Sequence, residues 1–163
     1  MRAASIILIA LAAYACDLPR DPDDTLKRVR GGTLRVGIAE HHPWTTDSAG
    51  TYGGVEADMV RQLARELEAT VEWRPGGESV LLPLLHERKL DLVIAGLDAK
   101  SAWSKSVGMT PPYHTTHDPA KRELVWAVSP GENAWQMRVE RFLREQQPRL
   151  DTLHLPTETI STR

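Results

Sequence analysis

The sequence predicts an α/β protein built on one three-layer mixed sheet, mainly parallel with an antiparallel return strand. Strand-like and amphipathic helical segments alternate between residues 33 and 113, which implies parallel strands joined by right-handed crossovers. Residues 90–95 are almost entirely apolar, as expected of a strand covered on both faces. A further strand and helix are predicted within 123–146. The length of 163 residues and the apolar content of 41% suit one soluble domain.

Four strands are predicted from local pattern. Residues 34–38 alternate and are rich in β-branched side chains, residues 70–73 form a second strand, and residues 90–95 form the third. Residues 123–128 form the return strand. The strand tryptophans Trp73 and Trp126 are predicted to lie in the core.

Three helices are predicted from apolar residues at helical spacing, at 58–67, 80–88 and 133–146. A carboxylate at Glu56 or Asp58 favours the start of the first helix. Ser79 is predicted to cap the second. Trp135, at the start of the third, is assigned either to the core or to the surface. Residues 147–163 contain two prolines and few apolar side chains, which predicts a poorly ordered tail.

The amino terminus resembles an export signal. Residues 3–13 form an apolar run that is shorter than the roughly 20 residues of a membrane-spanning helix but suits a signal peptide over residues 1–15. The segment ends in Ala13-Tyr14-Ala15-Cys16, and Cys16 is the single cysteine. This pattern resembles a bacterial lipoprotein signal, in which the cysteine is lipidated. The alternative is ordinary cleavage after Ala15, which leaves a free thiol.

A lipidated Cys16 predicts an exported protein, at the periplasmic or extracellular face of the bacterial inner membrane. Residues 16–32 are rich in Asp, Pro and Arg and poor in apolar side chains, so they are predicted to form a flexible tether. The net charge of −2 gives no support for a nucleic-acid partner, because such a partner usually requires a basic face.

Polar and aromatic residues follow the first and third predicted strands. In parallel sheets, ligands bind beyond the carboxyl ends of the strands. The ligand-site candidates at these ends are Glu40, His42, Trp44, Gly96, Asp98, Lys100 and Trp103. Trp44 is expected to expose its indole for stacking on a ligand or partner, whereas Trp103 is assigned equally to ligand contact or surface covering. Asp98 either accepts a hydrogen bond from an amine or caps the next turn.

Four segments, in order, resemble the bacterial solute-binding proteins of family 3, which serve amino-acid importers. These segments are Gly54-Val55-Glu56-Ala57-Asp58, Asp91-Leu-Val-Ile-Ala-Gly96, Met109-Thr-Pro-Pro-Tyr113 and residues 124–133. The resemblance covers about residues 33–146. It implies one lobe of a type 2 periplasmic-binding-protein fold that binds a small polar solute for an ABC-type importer, with no cofactor.

Two departures from that family change the expected function. Lys100 and Trp103 stand where amino-acid binders usually carry a threonine and a carboxylate-binding arginine, so the resemblance at these two positions does not predict recognition of an ordinary amino acid. Residues 117–122 stand where the second lobe is usually inserted, so the flanking strands are expected to close as a hairpin. A single lobe predicts weak binding. The alternatives are a protein-interaction module that uses the exposed strand ends, with a permease, another membrane protein or a second copy as partner, or a remnant without function.

Metal binding and catalysis receive little support. Glu40 with His41 and His42, or His114 with His117 and Asp118, are neighbours on extended segments and do not converge on one point. The sequence has no Gly-x-Ser-x-Gly motif, and Cys16 is assigned to the anchor. Enzyme activity is therefore not expected.

Overall fold

A computed structural model describes residues 21–116 and 119–152. The strands in chain order are β1 (Thr33–Ile38), β2 (Thr46–Ser48), β3 (Thr51–Gly53), β4 (Thr70–Pro75), β5 (Leu92–Asp98), β6 (Gly108–Met109), β7 (His114–Thr115) and β8 (Glu123–Val128). β1 lies between β4 and β5 and is parallel to both. β8 runs antiparallel to β5, β6 and β7, and β2 with β3 forms a separate hairpin. The predicted mixed sheet with an antiparallel return strand is confirmed.

Helices cover both faces of the sheet. They are α1 (Thr25–Val29), α2 (Val55–Glu66), α3 (Glu78–His86) and α4 (Asn133–Leu150), with a 3₁₀ turn at Ala102–Lys105. α2 and α4 pack on one face and α3 packs on the other, each through its apolar side. Trp126 and Trp135 are fully buried, whereas Trp73 is half-buried against the same cluster. The Arg61 guanidinium lies 5.5 Å from the centre of the Trp73 ring.

The predicted cap of α3 is wrong. α3 begins at Glu78, and the extended residue before it is Gly77, with no side-chain capping bond. Ser79 therefore lies inside the first turn. The helix therefore begins two residues earlier than the predicted Ser79 cap indicated, directly after Gly76 and Gly77.

The predicted flexible tether is wrong from residue 21 onward. Glu132 is 1% exposed, and its carboxylate accepts the backbone N–H groups of Asp23 and Thr25, both at 2.8 Å. Val29 in α1 is fully buried in the core. The composition of this segment could not predict its docking, because the carboxylate that accepts its N–H groups lies more than a hundred residues further along the chain. The signal peptide 1–15, Cys16 and residues 17–20 lie outside the described residues.

The predicted tail starts too early. α4 continues to Leu150, whose side chain is 2% exposed and belongs to the main apolar cluster. Burial of this leucine holds the last turn of the helix despite Pro148. Residues 153–163 lie outside the described part of the chain. Within the described ranges, no helix combines the length and apolarity needed to cross a bilayer.

Candidate solute-binding site

The parallel strands β1, β4 and β5 end at one side of the sheet, which we call the carboxyl edge; the opposite side is the amino edge. An open pocket of about 590 Å³ lies at the carboxyl edge between the ends of β1 and β4. Glu40, Asp47 and Glu78 line it, and all three side chains are exposed. Three carboxylates around one concave surface favour a ligand with a positively charged group.

The buried carboxylate of Glu56 connects three segments beneath the carboxyl edge through hydrogen bonds. Its Oε2 accepts the Gly96 N–H at 2.9 Å. Its Oε1 accepts the Tyr113 hydroxyl at 2.6 Å and the Trp126 indole N–H at 3.0 Å. One side chain in the first turn of α2 thus joins the end of β5 to two residues around the return strand.

Burial alters the ionisation of Glu56, whose side chain is fully inaccessible to solvent. Desolvation raises its pKa from 4.5 to about 7, against the lowering effect of the bonds from Tyr113, Gly96 and Trp126. Burial likewise raises the pKa of Tyr113 well above its ordinary value. The neutral donors around Glu56 offset only part of the cost of burying its charge.

Gly54 allows the loop after β1 to lie against the start of α2. Its φ of +92° is strained for other residues, and a Cβ here would lie 2.4 Å from the Trp44 carbonyl oxygen. The Glu56 N–H donates to that same oxygen at 2.9 Å. The motif residue Gly54 therefore sets the position of both Glu56 and the loop after β1.

The expectation of an exposed indole at Trp44 is wrong. Trp44 is 3% exposed and belongs to the main apolar cluster. Its ring lies 6.3 Å from that of Tyr113 and 5.1 Å from that of His114, centre to centre. The loop after β1 folds inward because Trp44 packs into the core, and this leaves Glu40 and His42 exposed at its tip.

His41 connects three parts of the carboxyl edge. Gly96 has φ +56°, and a Cβ there would lie 2.9 Å from Cγ of His41, so the imidazole packs directly on the glycine. On the other side, His41 Nε2 lies 3.0 Å from a terminal nitrogen of Arg122. The loop after β1, the end of β5 and the segment before β8 therefore meet at this ring.

The strands that flank the position of the missing lobe form a hairpin, as expected. β7 pairs with the first residues of β8, His114 opposite Leu124 and Thr115 opposite Glu123. The Thr116 N–H donates to the Arg122 carbonyl at 2.9 Å, and the Arg122 N–H donates to the Thr116 hydroxyl at 2.8 Å. The chain thus turns back where a second lobe would depart.

A sequence profile of the bacterial extracellular solute-binding proteins, family 3, matches residues 34–150. The chain belongs to this family. Its role is therefore substrate binding, and its described structure is a single lobe of the family's fold. No curated protein sequence matches the chain.

Three solved structures are similar to this solute-binding lobe. The Phe57Trp mutant of arginine-bound domain 1 from TmArgBP has a TM-score of 0.68 at 22% identity, covering 76% of this chain and 98% of that one. The ancestral amino-acid-binding protein AncCDT-1, described as a precursor of cyclohexadienyl dehydratase, has a TM-score of 0.65 at 18% identity, covering 76% and 93%. The Salmonella typhimurium periplasmic binding protein STM4351, described as highly arginine-specific, has a TM-score of 0.61 at 14% identity, covering 71% and 93%.

The solute-binding lobe brings only some of the predicted ligand residues together. Asp98 Oδ1 accepts the Lys100 N–H at 2.7 Å, which is the turn-capping alternative stated for this residue. Lys100 is exposed beside it, and Gly96 donates inward to Glu56. Trp103 is half-buried against the apolar cluster under α3. Only Glu40, among the predicted ligand residues, lines the acidic pocket.

Sequence reasoning missed Asp47, Glu78 and Arg122. Glu78 follows the strand at 70–75, and the rule about strand carboxyl ends would have found it if applied to that strand as well. Asp47 belongs to a short hairpin whose turn, Ala49-Gly50, has positive φ at both residues. Arg122 reaches the edge through the hairpin turn, which no local pattern indicated.

The two metal hypotheses have different outcomes. Across residues 21–116 and 119–152, no three His, Cys, Asp or Glu side chains stand close enough to hold a metal ion. His41 instead packs on Gly96 and contacts Arg122. Two members of the second set, His117 and Asp118, lie outside the described residues.

Proposed function

We propose that this protein is an exported single-lobe receptor that holds a cationic amino acid, or a related amine, for an ABC-type importer. The observation that carries the proposal is the acidic pocket at the carboxyl edge, lined by Glu40, Asp47 and Glu78. These carboxylates would bind the positively charged end of the ligand. The family match supports a solute as the occupant.

Two of the similar structures are described as proteins that bind arginine. One is described as an arginine-bound domain 1 and another as arginine-specific. At 22% and 14% identity these likenesses show the fold alone. The chemical argument for a cation therefore rests on the carboxylates of this chain.

Binding is expected to be weaker than in two-lobed members of the family. A clamshell buries most of a ligand between its lobes, whereas the pocket described here is open to solvent on one side. The arginine-bound domain 1 from TmArgBP is a precedent for a ligand held by one domain. A weakly held solute suits a receptor that meets a high local concentration of ligand.

The proposed anchor fits the orientation of the lobe. Residues 21–25 join the lobe at the amino edge, through Glu132 beyond the end of β8. With Cys16 lipidated, the membrane would lie on that side. The pocket at the carboxyl edge would then face away from the membrane and be open to incoming solute.

A thermal-shift titration tests the proposed function. L-arginine, L-lysine and putrescine are compared with L-glutamate and glucose on residues 17–163. A ligand at a hundred times its dissociation constant adds about 2.7 kcal/mol to the unfolding free energy, which moves the midpoint by several degrees in a domain of this size. We expect shifts with the cations only, reduced by Glu40→Gln and unchanged by Glu87→Gln at the amino edge. A cooperative melt that no cation moves would contradict the proposal.

A further inference from the structure

We infer that Arg122, on the hairpin that stands where a second lobe would begin, binds the carboxylate of the ligand. This inference rests on the proposed function and adds the residue that separates an amino acid from a simple amine. The acidic pocket would take the cationic side chain, and Arg122 would take the carboxylate at the other end of the ligand.

The usual source of a carboxylate-binding group is absent from its expected position. Trp103 stands where the family resemblance places the gripping arginine, and its indole is half-buried against the apolar cluster under α3. An indole has one N–H donor and no charge. An amino-acid ligand therefore needs another cation at this edge of the sheet.

The backbone places Arg122 beside the loop that follows β5. β5 and β8 are paired with Asp98 opposite Leu124, and the Ala99 N–H donates to the Glu123 carbonyl at 2.8 Å. Arg122 directly precedes β8, so its backbone lies next to the end of β5.

The guanidinium of Arg122 is also held in place. One terminal nitrogen lies 3.0 Å from His41 Nε2, and the His41 ring packs on Gly96. A half-buried, positioned arginine loses less freedom on binding than an exposed one.

The chemistry of a guanidinium suits this role. Its planar N–H groups form paired hydrogen bonds to a carboxylate, whereas an ammonium acts only as a point charge. The edge then carries the pocket carboxylates near β1 and β4 and the guanidinium of Arg122 beside the ends of β5 and β8. These groups match the cationic side chain and the carboxylate of one amino acid.

Calorimetric titration of the purified chain with L-arginine and with agmatine, which lacks the carboxylate, tests the inference. We expect arginine to bind roughly tenfold more tightly than agmatine. Arg122→Gln should remove that preference by weakening arginine about tenfold and leaving agmatine unchanged, and Arg122→Lys should give an intermediate preference. Lys89→Gln, which removes one positive charge at the amino edge, should change neither affinity.

Equal affinities of the wild-type protein for arginine and agmatine would overturn the inference while leaving the proposed function in place. Equal weakening of arginine binding and agmatine binding by Arg122→Gln would also overturn the inference. Arg122 would then support the structure of the site without contacting the ligand carboxylate. If neither ligand binds the wild-type protein, the proposed function fails and the inference fails with it. If Arg122→Gln does not fold, the affinities of the wild-type protein and of Arg122→Lys for arginine and agmatine still test the inference.

Discussion

Asp91 at the amino edge and Glu56 at the carboxyl edge are both buried carboxylates, and their hydrogen-bond donors differ. At the amino edge, the Asp91 side chain is 0% exposed and accepts hydrogen bonds from the guanidinium groups of Arg28 and Arg35. Its bond to Arg35 raises the pKa of that arginine. At the carboxyl edge, Glu56 accepts hydrogen bonds from a backbone amide, a phenol and an indole, all neutral.

The difference indicates what each edge does. The amino edge uses its arginines to neutralise a buried charge and to fasten α1 and β1 to the start of β5. At the carboxyl edge, the Arg122 guanidinium lies against His41. In our proposal, this guanidinium binds the carboxylate of the ligand. The predicted effects of breaking either edge follow from this division.

The largest effect is expected at the amino edge. Asp91→Asn removes the charge that two guanidinium groups share, and breaking a buried ion pair in this way costs about 4 kcal/mol of unfolding free energy. Urea denaturation measures the loss. Asp58→Asn is the matched control, because Asp58 pairs with Arg61 on the surface at 72% side-chain exposure. Equal effects of the two substitutions would contradict the structural role of Asp91.

The next effect concerns the pH dependence of stability. Glu56 has a pKa of about 7 when folded and 4.5 ordinarily, so between these values the folded state holds a proton that the unfolded state has released. Stability from this group is therefore present below about pH 4.5 and is lost as pH rises towards 7. Wild type should lose roughly 3 kcal/mol relative to Glu56→Gln between pH 5 and pH 8.

Urea titrations of both proteins across that range measure the difference. The comparison between variants cancels the contribution of groups that titrate in both proteins. A constant difference in unfolding free energy from pH 5 to pH 8 would show that Glu56 does not titrate in this window.

A smaller effect is expected from Gly96→Ala. The positive φ costs a side chain about 1 kcal/mol, and the contact with His41 adds about as much again, for a total of about 2 kcal/mol. Gly31→Ala is the control, because Gly31 has φ +66° and nothing within 4 Å of an added Cβ. Gly31→Ala should show the backbone cost alone in thermal unfolding. Similar losses of unfolding free energy in both variants would mean that the His41 ring moves away from the added methyl group at little cost.

The smallest effect is expected at Glu132. Glu132→Gln replaces one acceptor oxygen by an amide donor facing a backbone N–H, which costs about 1 kcal/mol. The result should be local release of residues 21–25. Hydrogen exchange at Asp23 and Thr25 should accelerate while exchange in β5 stays slow. Unchanged hydrogen exchange at Asp23 and Thr25 would contradict the proposal that the Glu132 carboxylate holds residues 21–25 in place.

The sequence predicted what local periodicity controls and missed what distant partners control. The four predicted strands and the buried Trp126 follow from alternation and apolar runs, and the structure has them. The docking of residues 21–29 was missed because it depends on Glu132, and the burial of Trp44 because it depends on Tyr113 and His114.

The candidate site shows the same limit. Glu40 was found from its place after a strand, whereas the pocket needs Asp47 and Glu78 from two other segments. Arg122 was not considered because it reaches the edge only through the hairpin with Thr116. Sequence order indicated the correct edge of the sheet, and three-dimensional pairing decided which side chains occupy it.

The most direct test of the central claim is an NMR titration of the ¹⁵N-labelled protein with L-arginine at millimolar concentration. The account predicts saturable shifts of amide resonances at the carboxyl edge, with Gly76, Gly77 and Gly96 among them, and none around Asp21–Arg30 at the amino edge. Absence of any saturable shift, or shifts confined to the amino edge, would contradict the claim that this lobe holds its ligand at the strand ends.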